Sequence, residues 1–171
     1  MTATTRTTPN PSPAIPAQAQ VPRWASLGTL TTALAGLGVS AYLTVAHYTT
    51  TVTLACPQSA TVNCEKVTTS PQSIFLGVPV AVLGLAFFAV MVLLCTPPAW
   101  RAASPPPHGI RLLASLAGVG FVAYLVYAEL FAIDAICLWC TSVHVLTVLL
   151  FALTALGTAA TPRPPGPARE P

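Results

Sequence analysis

Apolar residues are gathered into four long segments, separated by short stretches that hold most of the polar and proline residues. The segments cover residues 24–47, 78–95, 112–131 and 138–159. Each is long enough to cross a hydrocarbon core of about 30 Å as a helix rising about 1.5 Å per residue. The first exceeds the apolar core of a signal peptide and lacks an A-x-A cleavage pattern. The pattern therefore predicts four transmembrane helices.

Composition strengthens this prediction and locates the folded part of the chain. Of the 171 residues, 54% are hydrophobic and 6% are charged, whereas soluble domains carry about 25% charge. The predicted fold class is an all-α integral membrane protein, a four-transmembrane-helix bundle over residues 23–160. Residues 1–22 and 161–171 are rich in proline and small residues, and we predict that they are disordered cytoplasmic tails.

Positive charges fall almost entirely on one side of this four-span arrangement. Short loops rich in Lys and Arg stay on the cytoplasmic side of a membrane. The arginines on that side are Arg6, Arg23, Arg101, Arg111, Arg163 and Arg169, and Lys66 lies on the other side. Both termini are therefore predicted to be cytoplasmic. The loop between the first and second spans and the loop between the third and fourth spans are predicted to be extracytoplasmic.

Four of the five cysteines form two pairs on the predicted extracytoplasmic side. Cys56 and Cys64 share a polar loop, and Cys137 and Cys140 form a Cys-x-x-Cys at the start of the last apolar segment. Disulfides persist in oxidising compartments, and two pairs on one membrane face can pass electrons by thiol–disulfide exchange. Four cysteines permit three pairings, among which the sequence does not choose. Cys95, at the cytoplasmic end of the second span, is predicted to be a buried thiol without a partner.

The Cys-x-x-Cys begins a predicted helix. Cys137, Cys140 and His144 fall at i, i+3 and i+7, so they share one helix face. The N–H groups and dipole of a helix N-terminus favour a thiolate. Cys140, one turn in and nearest the hydrocarbon, is the better candidate for the thiolate that meets a lipid-soluble acceptor. Trp139, between the cysteines, either packs against that acceptor or anchors the helix at the membrane interface.

Structural alternatives stay open for each of these residues. Either cysteine pair can be a static disulfide, and two thiols with His144 could hold zinc or copper. Glu129 and Asp134 flank the Cys-x-x-Cys, where they could assist proton release from the thiols or simply be solvated. Trp24 and Trp100 lie at span ends and are expected to anchor the helices at the interface. A non-enzymatic membrane protein with structural disulfides or a metal-handling site is therefore the alternative to an oxidoreductase.

An ordered set of residues resembles the vitamin K epoxide reductase family, specifically its bacterial members. The matching stretch runs from about residue 24 to residue 159. The set comprises Cys56, Cys64 eight residues later, Ser70, the Gly77-Val-Pro79 turn and the run Cys137-Leu-Trp-Cys140-Thr-Ser-Val-His144. The set as a whole is far more specific than any one of its members. The resemblance implies a four-helix bundle around a quinone, capped by the cysteine-bearing extracytoplasmic loop.

Residue roles follow from the same resemblance. It implies that Cys140 faces the quinone and that Cys137 exchanges with Cys64. Cys56 would then accept electrons from a partner protein. Residues expected to bind the quinone are Ser70 and His144, together with Trp139 as a possible ring contact.

The resemblance also implies an acceptor, a partner and a location. The acceptor would be menaquinone or ubiquinone, and no metal is required. The electron donor would be a separate thioredoxin-fold, DsbA-like dithiol oxidase, so the protein would support disulfide bond formation from the bacterial cytoplasmic membrane. Val80 and Ala81 stand in the second span, where no asparagine corresponds to the one that vertebrate members use, so a quinone rather than an epoxide is expected. The DsbB family performs the same task with its cysteine pairs in the reverse order.

Overall fold

A computed structural model describes residues 22–49, 54–59, 61–101 and 106–161 of the chain. The predicted disordered tails, 1–22 and 161–171, lie outside the described residues apart from Pro22 and Thr161.

Four long helices dominate the described residues. The α-helices, long and short, are α1 (Arg23–Tyr48), α2 (Cys64–Thr68), α3 (Val80–Leu94), α4 (Pro97–Arg101), α5 (Pro106–Tyr127) and α6 (Leu138–Ala159). Helices α2 and α4 are the short ones, with five residues each. Strands β1 (Ile74–Phe75) and β2 (Val78–Pro79) form an antiparallel hairpin. The long helices α1, α3, α5 and α6 match the four predicted apolar segments.

Three helical segments of the described chain are long and apolar enough to cross a membrane. They are Arg23–Tyr48, Gly109–Ile133 and Leu138–Ala159. Helix α3 has 15 residues, so it extends about 22 Å, less than a hydrocarbon core of about 30 Å. Large apolar side chains such as Leu113, Val145 and Leu156 are exposed on the outer helix faces, where lipid would cover them. The all-α membrane fold class is confirmed, and the fourth crossing through α3 stays a prediction.

The four long helices pack in a ring, each against two others. Helices α3 and α6 both pack against α1, and α5 packs against α6 and α3. The fully buried side chains of the main core are Ala33, Phe88, Met91, Cys95 and Leu150. Gly36 lets the Phe88 ring lie against the α1 backbone, because a Cβ atom at this position would overlap the ring. Cys95 is a free thiol inside this core.

One end of the bundle is closed by a tryptophan and an arginine, and we call it the arginine end. The indole Nε1 of Trp100 donates to Thr29 Oγ1 at 3.2 Å. The Arg111 guanidinium lies 3.8 Å from the centre of the Trp100 ring, and its Nε donates to the Leu94 carbonyl at 2.9 Å. Trp100 is 1% exposed, so the prediction that it anchors a span at the membrane surface is wrong. It fills the space between helices instead.

The opposite end, comprising the last turn of α1 and residues 54–79 and 128–137, is here called the cysteine end. Irregular backbone shapes it. Helix α5 continues into a π-helical turn, Ala128–Ile133, which Asp134 ends with a left-handed φ of 52°. The backbone N–H groups of Asp134 and Ala135 both donate to the Glu129 carbonyl. Such π turns are rare and occur frequently at functional sites.

The β-hairpin covers part of the cysteine end. Its two-residue turn, Leu76 and Gly77, has φ values of 51° and 81°, and paired positive φ values are typical of a tight hairpin turn with glycine second. Phe75 packs edge-on against Phe121 and Tyr124, with ring centres 5.2 and 5.9 Å apart. The hairpin therefore rests on α5 and leads directly into α3.

Candidate active site

The polar loop that carries the first cysteine pair is docked onto the segment before the second pair. Val62 and Ile136 form a parallel β-bridge. The Asn63 N–H donates to the Ile136 carbonyl at 3.1 Å, and the Ile136 N–H donates to the Thr61 carbonyl at 2.9 Å. Lys66 Nζ adds a bond to the Asp134 carbonyl at 3.2 Å. The bridge holds the residues directly before Cys64 and Cys137 side by side.

All four paired cysteines meet in one hydrophobic cluster. Cys64 is 1% exposed and Cys137 is fully buried, together with Val67, Ile133 and Ala135. Cys56 and Cys140 pack at the edge of the same cluster and are partly buried. The sequence predicted two functional pairs, and the structure brings both pairs together.

Of the three ways to pair the four cysteines, the structure is consistent with the one that joins Cys56 to Cys64 and leaves Cys137 with Cys140. Cys56 and Cys64 are bonded, with their Cα atoms 6.2 Å apart. Cys137 and Cys140 are free. One pair is therefore oxidised beside a reduced pair, which is the arrangement that thiol–disulfide exchange requires.

The helix N-terminus acts on Cys137 rather than on Cys140. Cys137 is the N-cap of α6, and its Sγ accepts the backbone N–H of Cys140 at 3.3 Å. A hydrogen bond from the Cys140 thiol, supported by the backbone N–H groups of Cys140 and Trp139, lowers the pKa of the Cys137 thiol despite its burial. The sequence pattern favoured Cys140 for the thiolate. The structure favours Cys137 because it precedes the helix and faces the unpaired N–H groups.

A cavity of about 720 Å³, counting its open mouth, lies beside the cysteine cluster. Helix α6 contributes Cys140 and His144, the loop contributes Ser70, and the π-helical turn contributes Glu129. The remaining polar lining residues are Ser40, His47, Thr68, Gln72 and Ser73. The exposed surface inside the cavity is nevertheless mostly apolar. Binding pockets for small molecules have this character, mostly apolar with a few polar groups.

A second, almost entirely apolar cavity adjoins the first. It lies among α3, α5 and α6, and its side chains include Phe75, Phe87 and Phe121. The residues that line both cavities are Val80, Gly84, Leu125, Val143 and His144. A polar-edged cavity and an apolar cavity therefore share one wall.

The three residues expected to bind a quinone have different positions. Ser70 and His144 line the first cavity with Cys140. Trp139 lines neither cavity: its Nε1 donates to the Ala55 carbonyl at 3.0 Å, and its ring lies 4.9 Å from that of Tyr42. The expected ring contact from Trp139 is therefore not made at this cavity. Its indole fixes the Cys56 segment instead.

The two acids that flank the Cys-x-x-Cys are separated by the fold. Glu129 is 6% exposed and lines the first cavity, with its carboxylate near the backbone N–H of Cys137. Asp134 is exposed. The sequence pattern suggested the same role for both acids, and only the π-helical turn distinguishes them.

Ser40 and Gly84 also line the first cavity, and sequence reasoning did not select them. The available signal was helical spacing, since Ser40, Leu43 and His47 recur at i, i+3 and i+7 on one face of α1. Among the described residues, no group of three or more His, Cys, Asp or Glu side chains is placed to hold a metal ion.

An apolar helical bundle that places a disulfide, two thiols and a cavity at one end defines a membrane protein of the thiol-redox class. The sequence profile of the vitamin K epoxide reductase family matches residues 27–155, and the chain belongs to this family. The family is one of oxidoreductases, so the protein is a membrane thiol oxidoreductase. No curated protein sequence gives a significant match.

Proposed function

We propose that the protein reoxidises an extracytoplasmic thioredoxin-fold, DsbA-like protein and passes two electrons to a membrane quinone, thereby supporting disulfide bond formation. The observation that carries this proposal is the order of the cysteines in space. Cys56 is partly buried beside an exposed segment, Cys64 and Cys137 are buried together, and Cys140 lines the cavity. The cysteines therefore form a path from the protein surface to a binding site.

The cavities fit a quinone, menaquinone or ubiquinone, better than a water-soluble acceptor. A quinone has a flat ring with two carbonyl oxygens and an isoprenoid tail, and when bound it accepts two electrons and two protons. The first cavity is lined by Ser70, His144 and the Cys140 thiol, and the His144 ring can bond a quinone oxygen. The adjoining apolar cavity offers space for a tail. Pockets that are mostly apolar with a few polar groups bind such ligands.

Electrons pass through exchange between the two pairs. A thiolate of the partner attacks the Cys56–Cys64 disulfide at Cys56, and the second partner thiol then releases the partner as a disulfide, leaving Cys56 and Cys64 reduced. Cys64 attacks Cys137 when Cys137 and Cys140 are oxidised, which frees the Cys140 thiolate. Cys56 then attacks Cys64, which restores the first disulfide and frees Cys137. The pairing in the structure matches the state that follows this exchange.

Proton transfer is assigned to Glu129. Oxidation of two thiols to a disulfide releases two protons, and a mostly apolar cavity holds few groups that can accept them. Glu129 lies on the cavity wall near the backbone of Cys137. A carboxylate in this position can accept a thiol proton and pass it into the cavity. His144, which lines the same cavity, would be the second group to carry a proton. Asp134, which is exposed, is given no role.

The orientation and membrane crossing rest on the distribution of charge. Arg23, Arg101 and Arg111 belong to the arginine end, so the positive-inside rule places that end in the cytoplasm. The cysteine end then faces the extracytoplasmic side of the bacterial cytoplasmic membrane, and α3 provides the fourth crossing. The residues after Cys56 in the described segment, Pro57 to Ser59, are exposed and accessible to a separate partner protein.

Quinone reduction by the purified protein in detergent tests the proposal. The donor is a reduced thioredoxin-fold dithiol protein, and the acceptors are ubiquinone-1 and menadione. We expect turnover by the wild type and by Cys95→Ala, since Cys95 lies in the core away from both cavities. Cys140→Ala and Cys64→Ala should reduce turnover to background. A wild-type protein that reduces neither quinone with any such donor would overturn the proposal.

A further inference from the structure

One buried hydroxyl of the helical bundle differs from the others. Serine and threonine side chains inside a helix usually donate to a carbonyl of the preceding turn. The buried hydroxyls of Ser115, Thr147 and Thr154 do so, at 2.7–3.0 Å. Ser40, which is 1% exposed, has no hydrogen-bond partner for its Oγ among the described residues. A buried polar group left without a partner destabilises the protein and calls for an explanation.

Ser40 lies in the wall of the first cavity, and its hydroxyl oxygen is itself buried. Ser40 lies on the α1 face that lines this cavity with Leu43. The facing residue on α3 is Gly84, and a Cβ atom there would lie 3.2 Å from Ser40 Oγ. Because residue 84 is a glycine, no side chain from this position covers the hydroxyl. Gly84 itself lines both cavities.

Other hydroxyls on the cavity wall are already committed. Ser70 donates to the Val67 carbonyl at 2.8 Å, Ser73 to the Ser70 carbonyl at 2.7 Å, and Thr68 to the Cys64 carbonyl at 2.9 Å. A quinone carbonyl oxygen only accepts hydrogen bonds, so it needs a donor. Of the four hydroxyl side chains that line this cavity in the described chain, Ser40 is the one whose proton is unassigned.

We propose that Ser40 donates a hydrogen bond to a carbonyl oxygen of the bound quinone. The inference rests on the proposed function and deepens it by assigning a binding residue on α1, across the cavity from Cys140. The unpaired hydroxyl is then a binding group whose partner is the ligand. This explains why the cavity wall holds a serine opposite a glycine.

The test compares Ser40→Ala with the matched variant Ser115→Ala. Both remove a buried serine hydroxyl from a long helix, and Ser115 donates to its own helix at Leu112. Thermal unfolding is measured in detergent without quinone and with added ubiquinone-1, and turnover is measured as a function of ubiquinone-1 concentration. Because a ligand that binds the folded state raises its stability, the shift in midpoint reports quinone binding without reference to activity.

We expect Ser40→Ala to raise the unfolding midpoint without quinone by about 2–4 °C, since it removes an unpaired buried group. It should raise the KM for ubiquinone-1 by about three- to tenfold with kcat nearly unchanged, and should reduce the quinone-induced shift. Ser115→Ala should leave KM and the quinone-induced shift at wild-type values. These results together support the inference.

Two results would overturn it. If Ser40→Ala lowers the midpoint and leaves KM and the quinone-induced shift unchanged, the hydroxyl has a structural role only. If the wild type neither reduces ubiquinone-1 nor is stabilised by it, the proposed function fails and the assignment of Ser40 fails with it. If the wild type reduces ubiquinone-1 normally and Ser40→Ala has the wild-type KM and quinone-induced shift, the Ser40 inference alone is refuted.

Discussion

The two ends of the bundle are built in opposite ways. At the arginine end, Trp100 and Arg111 are buried, and Gly157 leaves no room for even a methyl group beside Ala25 and Trp100. At the cysteine end, the backbone is irregular, Glu129 is buried in a π-helical turn, and the first cavity opens beside it. Both ends bury polar groups, but the arginine end is closely packed around them. The cysteine end retains space and irregular backbone, which cost stability and are typical of functional sites.

The largest expected effect comes from Glu129 at the cysteine end. Glu129→Gln keeps the shape of the side chain and an oxygen near the Cys137 N–H but cannot accept a proton. We expect kcat for quinone reduction to fall by about a hundredfold, with the KM for quinone and the thermal stability nearly unchanged. Steady-state kinetics over a range of quinone concentrations measures this.

Asp134→Asn is the matched control for Glu129→Gln. Asn tolerates the left-handed conformation of Asp134, and the bond from Lys66 uses the backbone carbonyl, which the substitution keeps. We expect wild-type turnover. Equal losses of turnover in the two variants would show that Glu129 has no special role in proton transfer.

At the arginine end, a single methyl group should destabilise the protein. A Cβ atom at Gly157 would lie 2.8 Å from both Ala25 Cβ and Trp100 Cη2. Gly157→Ala should therefore lower the free energy of unfolding by about 1–3 kcal/mol, with the KM for quinone unchanged. Thermal unfolding in detergent measures the loss.

Gly38→Ala provides the comparison for Gly157→Ala, because a Cβ atom at Gly38 would have nothing within 4 Å. Alanine favours a helix over glycine by about 1 kcal/mol, so this variant should be neutral or slightly stabilised. A stable Gly157→Ala protein would show that the arginine end is not closely packed.

Trp139 separates the sequence-based role from the structural one. Trp139→Phe keeps an aromatic ring and removes the hydrogen bond to Ala55, which should lower the free energy of unfolding by about 1 kcal/mol. The KM for quinone should not change, because Trp139 lines neither cavity. A clear rise in KM would restore the quinone contact expected from the sequence.

The smallest effect concerns the pH dependence of Cys137. Its pKa is lowered chiefly by the Cys140 thiol, so its alkylation should stay fast at pH values below the ordinary thiol range and slow as pH falls through the lowered pKa. Removing that hydrogen bond in Cys140→Ala should move the midpoint of iodoacetamide labelling to higher pH. In a Cys95→Ala background, the reference has two free thiols, Cys137 and Cys140, and the Cys140→Ala variant has Cys137 alone, so the label on Cys137 is followed by peptide mass spectrometry. An unchanged midpoint would contradict the assigned cause.

Much of the fold could be predicted because the thickness of the membrane determines how long an apolar segment must be to cross it as a helix. Helices α1, α3 and α6 begin and end within two residues of the predicted segments, whereas α5 begins six residues before its segment and gives way to the π-helical turn before the segment ends. The predicted location of Trp100 was wrong because a tryptophan at the end of a span can lie either at the lipid interface or between helices. Only the packing of Arg111 against its ring decides between them.

The site was predicted less completely, since its chemistry depends on irregular backbone. The cysteine spacing identified both pairs, but no local pattern indicated the β-bridge between Val62 and Ile136 that brings them together. The N-cap position of Cys137 depends on a helix boundary, which the sequence fixes only to within a few residues. The distinction between Glu129 and Asp134 depends on a π-helical turn, for which there is no simple sequence signal.

The central claim is that electrons pass between Cys64 and Cys137, and the most direct test is to leave these two cysteines alone in the chain. The chain has five cysteines, so the triple variant Cys56→Ala, Cys95→Ala, Cys140→Ala retains the pair. After mild oxidation, mass spectrometry under non-reducing conditions should find an intramolecular Cys64–Cys137 disulfide in most molecules. Two free thiols, or intermolecular disulfides only, would contradict the relay.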